Sequence, residues 1–139
     1  NYQGYFSDIT RTFATGKSID SKLLDAFESV RLANTAARER SASGVTAGDV
    51  DLAARSIIDE RGFGDYFIHR TGHGLGLEIH EEPNIKQNED FILSEGNIYT
   101  IEPGIYLPEL GGIRIEDDVL IESSGSRSLT TLPRDLMYL

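Results

Sequence analysis

All three histidines of the 139-residue chain lie in one run, His69-Arg-Thr-Gly-His73-Gly-Leu-Gly-Leu-Glu-Ile-His80. Glycines on both sides of His73 remove side-chain bulk, which lets a ligand or a second strand approach closely. A single histidine is most often structural, and that interpretation stays open for each of the three. Three histidines separated by short glycine-rich turns indicate a functional site as readily.

Three acidic residues lie in runs that are otherwise rich in apolar or β-forming side chains. Asp8 falls in mid-strand, Glu102 ends a strand-like run before a Pro-Gly turn, and Glu116 follows an Ile-Arg-Ile run. An isolated carboxylate is costly to bury there, and a divalent cation is a good partner for it. Taken singly, each could form a surface salt bridge. Together with His73 they favour a metal centre, and this ligand set suits Mn, Co, Fe or Zn.

The charge of the chain is unevenly distributed. Its 13 basic and 23 acidic residues give a net charge of −10, and almost the whole excess lies in residues 78–122. Crowded carboxylates indicate either a solvated acidic face or a set of groups gathered round a cation. The acidic balance opposes binding to phosphate backbones, so we expect no nucleic-acid partner.

The composition excludes several classes of protein. The absence of cysteine excludes a disulfide scaffold, a thiol nucleophile and a cysteine zinc site. No apolar run approaches the roughly 18 residues of a membrane span, and the first four residues do not resemble a signal peptide. We therefore expect a soluble, cytoplasmic, single-domain chain with no membrane partner.

Apolar periodicity predicts two helices followed by a strand-rich half. Residues 4–13 are predicted to form a strand, and residues 19–43 an amphipathic helix. A second helix is predicted between the N-cap Thr46 and Gly62, with Asp49 forming a variant of the capping box. Further strands are predicted at residues 97–101, 111–115 and 119–122. Helices grouped before strands indicate an α+β fold.

Four motifs resemble the blocks of the prolidase and aminopeptidase P branch of the pita-bread metallopeptidases, in the same order. They are the run from His69 to Glu81, Tyr5-Phe-Ser-Asp-Ile-Thr-Arg-Thr, Ile101-Glu-Pro-Gly-Ile-Tyr and Gly112-Ile-Arg-Ile-Glu-Asp-Asp. The resemblance implies a partial pita-bread fold, in which two helices pack on a curved, mostly antiparallel sheet. The short gap between the last two blocks is similar to the prolidase side of that branch.

The resemblance also implies a centre with two divalent metal ions, Mn or Co before Fe or Zn. Four of its ligands are matched in this chain by Asp8, His73, Glu102 and Glu116. The family's first metal aspartate should precede Asp8 by eleven residues, and the chain begins only seven before it. We therefore expect residues 1–139 to be one fragment of the catalytic domain that binds at most one ion well.

The activity that the resemblance implies is hydrolysis of peptide bonds next to proline, in dipeptides or short peptides. Glu102 would move the proton between water and the leaving nitrogen, and His80 would stabilise the oxyanion. His69 and His80 would contact the substrate. Arg114 would bind its carboxylate or, alternatively, pair with the aspartates at positions 117 and 118.

Two further expectations follow from the fragment. The Phe6 strand and the helix stripes should expose apolar surface, which favours a homo-oligomer. The fragment alone should be weakly active or inactive. The alternative function is a non-catalytic pita-bread domain that binds peptides or proteins, since folds of this kind are reused.

Overall fold

The computed structural model describes residues 1–16 and 18–139 of the chain. Helix α1 spans Ser21–Arg40, helix α2 spans Ala47–Glu60, and a short 3-10 helix covers Gly64–Tyr66. The strands are β1 Phe13–Ala14, β2 Gly72–Gly74, β3 Glu81–Ile85, β4 Ile98–Ile101, β5 Gly104–Leu107, β6 Gly111–Arg114, β7 Asp117–Glu122, β8 Gly125–Ser128 and β9 Met137–Tyr138. The predicted order of two helices and then strands is confirmed.

The main sheet is antiparallel throughout. Its five strands run in the order β3-β2-β4-β7-β8, and β5 and β6 form a separate antiparallel hairpin. Within the described residues, β1 and β9 are the strands that pair in parallel. The architecture is therefore α+β with a mainly antiparallel sheet, as the sequence predicts.

The apolar stripes of the two helices form much of the core. Ala33 and Ala37 of α1 and Val50, Ala54 and Ile58 of α2 are fully buried, because the helices pack on each other and on the sheet. The prediction that parts of these apolar helix faces are exposed is therefore wrong for these residues, whereas Leu23 and Ile57 of the same faces are only partly buried. Exposed apolar side chains do occur in the N-terminal segment, among them Tyr2, Tyr5 and Ile9. The homo-oligomer stays a prediction.

The strand predicted at residues 4–13 is largely wrong, because only β1 at its end joins a ladder. Before it, Thr10 makes an isolated bridge with Glu116. Thr12 uses its hydroxyl to donate to Arg114 O and to accept from Arg114 N, at 3.0 and 3.1 Å. Side-chain hydrogen bonds here take the place of a continuous backbone ladder, and they still fix the segment against the strand-rich half.

The sequence predicts two capping contacts at the start of α2, and the structure shows one of them. Thr46 Oγ1 accepts from Asp49 N at 3.1 Å, which confirms the N-cap. The reciprocal half of the capping box is absent, because the Asp49 carboxylate instead accepts from Arg40 Nη2 at 2.8 Å. In the described residues, neither helix is both long and apolar enough to cross a bilayer.

We expect Thr46→Ala to lower the free energy of unfolding by about 1 kcal/mol, since Asp49 N loses its side-chain acceptor and keeps only Thr46 O. Thr35→Ala is the matched control. Thr35 lies inside α1, donates back to Arg31 O at 3.0 Å and accepts from Arg38 Nη2 at 3.2 Å. Alanine there loses these bonds but favours the helix, so it should cost less than Thr46→Ala. Urea denaturation measures both changes, and equal destabilisation by the two variants would contradict the capping role.

Candidate metal centre

Three side chains from distant parts of the chain converge in one cluster. Asp8, His73 and Glu116 each offer a ligand atom, and these atoms all lie within 4.8 Å of one another. Asp8 comes from the N-terminal segment, His73 from β2, and Glu116 from the residues between β6 and β7. The backbone bond from Glu116 N to Thr10 O, 3.0 Å long, holds the first and last of these segments together.

The glycines on both sides of His73 allow neighbouring strands to approach closely, as the sequence predicts. A Cβ on Gly72 would lie 1.8 Å from Thr100 O, and one on Gly74 would lie 2.2 Å from Glu82 O. Both contacts are with backbone atoms of neighbouring strands, so any side chain would push β2 away from the sheet. The close approach of strands around His73 therefore depends on these two glycines.

The ring of His73 has a fixed orientation. Its Nδ1 lies 3.0 Å from Gly74 O and donates to it, which leaves Nε2 directed at Glu102 Oε1, 3.2 Å away. Thr100, fully buried, accepts from His73 N and donates to Glu102 Oε1. A carboxylate facing a ring nitrogen needs a proton or a cation between them, and a hydrogen bond at the other nitrogen is typical of metal-binding histidines.

The His73–Glu102 contact also sets the ionisation of both groups. Burial lowers the pKa of His73, but the hydrogen bonds to Glu102 and to Gly74 O outweigh it and the net pKa is raised. Burial raises the pKa of Glu102, but the hydrogen bond and charge of His73 outweigh it and the net pKa is lowered. Glu102 is therefore kept ionised, although it lies outside the three-residue cluster.

The remaining carboxylates carry more negative charge than their surroundings balance. Burial, with the charges of Glu102 and Asp8, raises the pKa of Glu116 to about 7, although Thr10 and Arg114 oppose this. Burial likewise raises the pKa of Asp118 to about 6. Asp118 Oδ2 accepts from Asp8 N at 3.2 Å, and among the described residues its buried Oδ1 has no partner. Such a donor set fits a divalent cation.

The structure places both predicted substrate histidines beside this cluster. The rings of His80 and His73 meet edge to face, with centroids 4.2 Å apart, and His80 is exposed. His69 is half-buried against Tyr106 at 5.4 Å. Its Nδ1 lies 2.7 Å from Arg70 O, and among the described residues its buried Nε2 has no hydrogen-bond partner.

Arg114 lies on the same side as Glu116, as alternation predicts, with Nε 3.9 Å from Glu116 Oε2. It also donates to Thr10 Oγ1 at 3.1 Å and to Tyr106 OH at 3.4 Å. The alternative pairing of Arg114 with Asp117 or Asp118 is wrong, because in the described structure Arg114 faces Glu116, and Asp117 pairs with Arg11 and Arg134.

Arg11, which sequence reasoning missed, binds Asp117 with its Nη2 at 2.7 Å, and its side chain is only 4% exposed. It also donates to the carbonyl oxygens of Thr10 and Glu116 at 2.9 and 2.7 Å. Its two remaining donors reach Leu132 O and Pro133 O. All five guanidinium donors are thus used. The motif that contains Asp8 includes Arg11, but these partners are too far away in sequence to be inferred from it.

Comparison with known proteins identifies the family of the chain. The model of metallopeptidase family M24 matches residues 1–123. The Xaa-Pro dipeptidase of Pyrococcus furiosus is 52% identical over 136 residues, which are 98% of this chain and 39% of that protein. The Xaa-Pro dipeptidase of Pyrococcus horikoshii is 48% identical over 98% of this chain and 38% of its own length. The chain thus spans less than two fifths of these relatives.

Solved structures show the same fold. The Xaa-Pro dipeptidase of Bacillus anthracis matches with a TM-score of 0.96 and 43% identity, covering 99% of this chain and 39% of that one. The N-terminal domain of FACT complex subunit SPT16 from chickpea has a TM-score of 0.90 but 23% identity, covering 99% and 36%, so it shows the fold alone. The family match and the close relatives show that the chain belongs to metallopeptidase family M24, in its Xaa-Pro dipeptidase branch.

Proposed function

We propose that Asp8, His73 and Glu116 hold a divalent metal ion, with Glu102 as a fourth ligand, in a protein that hydrolyses Xaa-Pro peptide bonds. The observation that carries the proposal is the convergence of three ligand atoms, from three separate segments, within 4.8 Å. The relatives named Xaa-Pro dipeptidases support the choice of substrate. The fold alone would not separate this function from peptide or protein binding.

A bound divalent ion, Mn or Co before Fe or Zn, would supply Lewis-acid activation of water and of the substrate carbonyl. Glu102, kept ionised beside His73, accepts the proton of the attacking water and passes it to the leaving proline nitrogen. The exposed ring of His80, which contacts the His73 ring, would donate to the developing oxyanion.

Two further side chains would orient the substrate. His69, whose Nε2 has no hydrogen-bond partner among the described residues, would contact a peptide group of the substrate. Arg114 uses Nε and Nη1 within the protein, and among the described residues its Nη2 makes no hydrogen bond. That donor can pair with the carboxylate of the substrate, the part of a Xaa-Pro dipeptide that a cation recognises best. Proline offers no N–H, so recognition must depend on shape and on the termini.

We expect calorimetric titration with Mn²⁺ or Co²⁺ to show one tight site per chain, which His73→Gln removes. Glu122→Gln is the matched control, because Glu122 forms an exposed pair with Arg127 and is not among the clustered ligand groups. Absence of binding by the unaltered chain would contradict the metal site. Two equally tight sites would contradict the one-ion expectation but not the ligand assignment.

Substrate choice is tested on the Mn²⁺-loaded chain by proline release from Ala-Pro, with Ala-Ala as control. Turnover of Ala-Pro that depends on His73 is the supporting result. Because the fragment is expected to have little activity, binding is followed as well, with Zn²⁺ in place of Mn²⁺ to keep the imidazole NMR signals sharp. Ala-Pro should shift the signals of His69 and His80 and Ala-Ala should not, whereas equal shifts or none would overturn the Xaa-Pro assignment.

A further inference from the structure

Helix α2 carries a buried ion pair that the metal centre does not use. Asp51 is fully buried, and Arg55 follows it by one helical turn. Arg55 Nε lies 3.0 Å from Asp51 Oδ2 and Arg55 Nη2 lies 3.1 Å from Asp51 Oδ1, so the ion pair is bidentate. Buried ion pairs add little net stability but can hold one arrangement of the chain in preference to others. The question is which arrangement this pair holds.

Arg55 reaches from the helix to the segment that carries His69. Its Nη1 donates to Phe67 O and its Nη2 to His69 O, both at 3.0 Å. The guanidinium also lies 4.1 Å from the centroid of the Phe67 ring, in a cation–π contact. The Phe67 ring also contacts the ring of His69 edge to face, with centroids 5.2 Å apart. Arg55 therefore fixes both the backbone and the ring contact of His69.

Asp51 holds the next part of the same segment. Its Oδ1 accepts from Thr71 Oγ1 at 2.7 Å and from Thr71 N at 3.3 Å. The carbonyl of Thr71 in turn accepts from Glu102 N at 2.7 Å. One carboxylate thus connects α2, through a single buried threonine, to the backbone of the residue that is proposed to move the proton.

We propose that the Asp51–Arg55 pair positions the substrate-contacting His69, and through Thr71 also Glu102, so that α2 takes part in setting the geometry of substrate binding. The inference rests on the proposed function for the role of His69, but the positioning itself can be measured without substrate. Asp51 and Arg55 are positioning residues: neither is among the clustered ligand groups, and their contacts reach the site only through Phe67, Thr71 and the His69 backbone.

The chain offers a clean probe, because it has three histidines and each of them is a candidate site residue. Arg55→Lys keeps the charge but loses the planar fork and one of its carbonyl contacts. The imidazole NMR signals of His69 should shift or broaden, while those of His73 and His80 stay near their original positions. Affinity for Ala-Pro should fall about tenfold, with Mn²⁺ affinity changed less than about twofold. Arg31→Lys is the control, since Arg31 pairs with Glu28 on the exposed side of α1.

An unchanged His69 signal in Arg55→Lys would overturn the proposal, as would parallel shifts of all three histidines together with a loss of Mn²⁺ affinity, which indicate a general loss of structure. Should Arg55→Lys fail to fold, Phe67→Leu tests the same contact: it removes the ring between Arg55 and His69 and must also move the His69 signal selectively. If Ala-Pro does not bind the unaltered chain, the proposed function fails, and the His69 signal still decides the positioning role.

Discussion

Glu116→Gln is expected to stabilise the metal-free protein at pH 8 while abolishing its binding of Mn²⁺. Burial raises the pKa of Glu116 to about 7, from 4.5 in a free side chain. A raised pKa means that the folded state holds the proton more tightly than the unfolded state does. Stability is therefore lost as the pH rises through the range from 4.5 to about 7, and the full loss is present at pH 8. Glutamine is similar in size and carries no charge, so Glu116→Gln avoids this loss of stability.

The size of this effect follows from the shift itself. At about 1.36 kcal/mol per pKa unit, ionising Glu116 costs on the order of 3 kcal/mol. Asp118, with its pKa raised to about 6, adds a loss in the same direction between about pH 4 and pH 6. The raised pKa of His73 contributes stability that is present below pH 6.5 and is lost above it. The metal-free chain should therefore become steadily less stable from pH 4 to pH 8.

Urea denaturation at pH 5 and pH 8, with EDTA or with Mn²⁺, measures both parts of this prediction. Without metal, the unaltered chain should be less stable at pH 8 than at pH 5, and Glu116→Gln should reduce that difference. Mn²⁺ should make the unaltered chain more stable at pH 8 than at pH 5, because metal binding needs ionised carboxylates. It should not do so in Glu116→Gln. Glu122→Gln serves as control and should leave the pH dependence unchanged. A metal-free Glu116→Gln that is less stable than the unaltered chain at pH 8 would contradict the argument.

Asp117→Asn is expected to lower the free energy of unfolding by about 3–5 kcal/mol, because it leaves buried guanidinium charge without its partner. Asp117 is fully buried between Arg11 at 2.7 Å and Arg134 at 2.6 Å. It also accepts from the amide of Asn34 at 3.0 Å. A loss of this size is a large part of the stability of an ordinary domain.

The comparison for Asp117 is again Glu122→Gln. The Glu122–Arg127 pair has a nitrogen–oxygen distance of 2.7 Å, as short as that of Arg11 and Asp117, but both of its side chains are exposed. Exposed pairs contribute about 0–1 kcal/mol. Urea denaturation at one pH therefore tests whether the burial of an ion pair, rather than its nitrogen–oxygen distance, decides its contribution to stability. Equal losses of unfolding free energy in the two variants would contradict the structural role of Asp117.

The sequence predicts the helices well because their signals are local. The apolar spacing of α1 and α2 and the Thr46 cap depend on residues a few positions apart. The ends of α1 are less well predicted: the helix begins after Asp20, whose side chain accepts from Lys22 N at 2.8 Å, and ends at Arg40. The strand at residues 4–13 is not predicted correctly, since its partners lie about a hundred positions away.

In the candidate site, too, features that depend on local motifs can be predicted and contacts between distant segments cannot. Asp8, His73, Glu102 and Glu116 can be selected from motifs, and the structure brings three of them into one cluster. The pairing of Asp117 could not be foreseen, because Arg11 lies 106 positions from it. The four-residue spacing of Asp51 and Arg55 is visible in the sequence, but it does not reveal that the carbonyl of His69 lies within reach.

The five-donor arrangement of Arg11 has a practical consequence for engineering. The guanidinium that donates to the carbonyl oxygens of Thr10 and Glu116 also donates to those of Leu132 and Pro133. Removing residues from Leu132 onward would therefore take away two of the acceptors of Arg11. It would loosen the segment that carries Asp8, and so disturb the ligand cluster through residues that are not part of it.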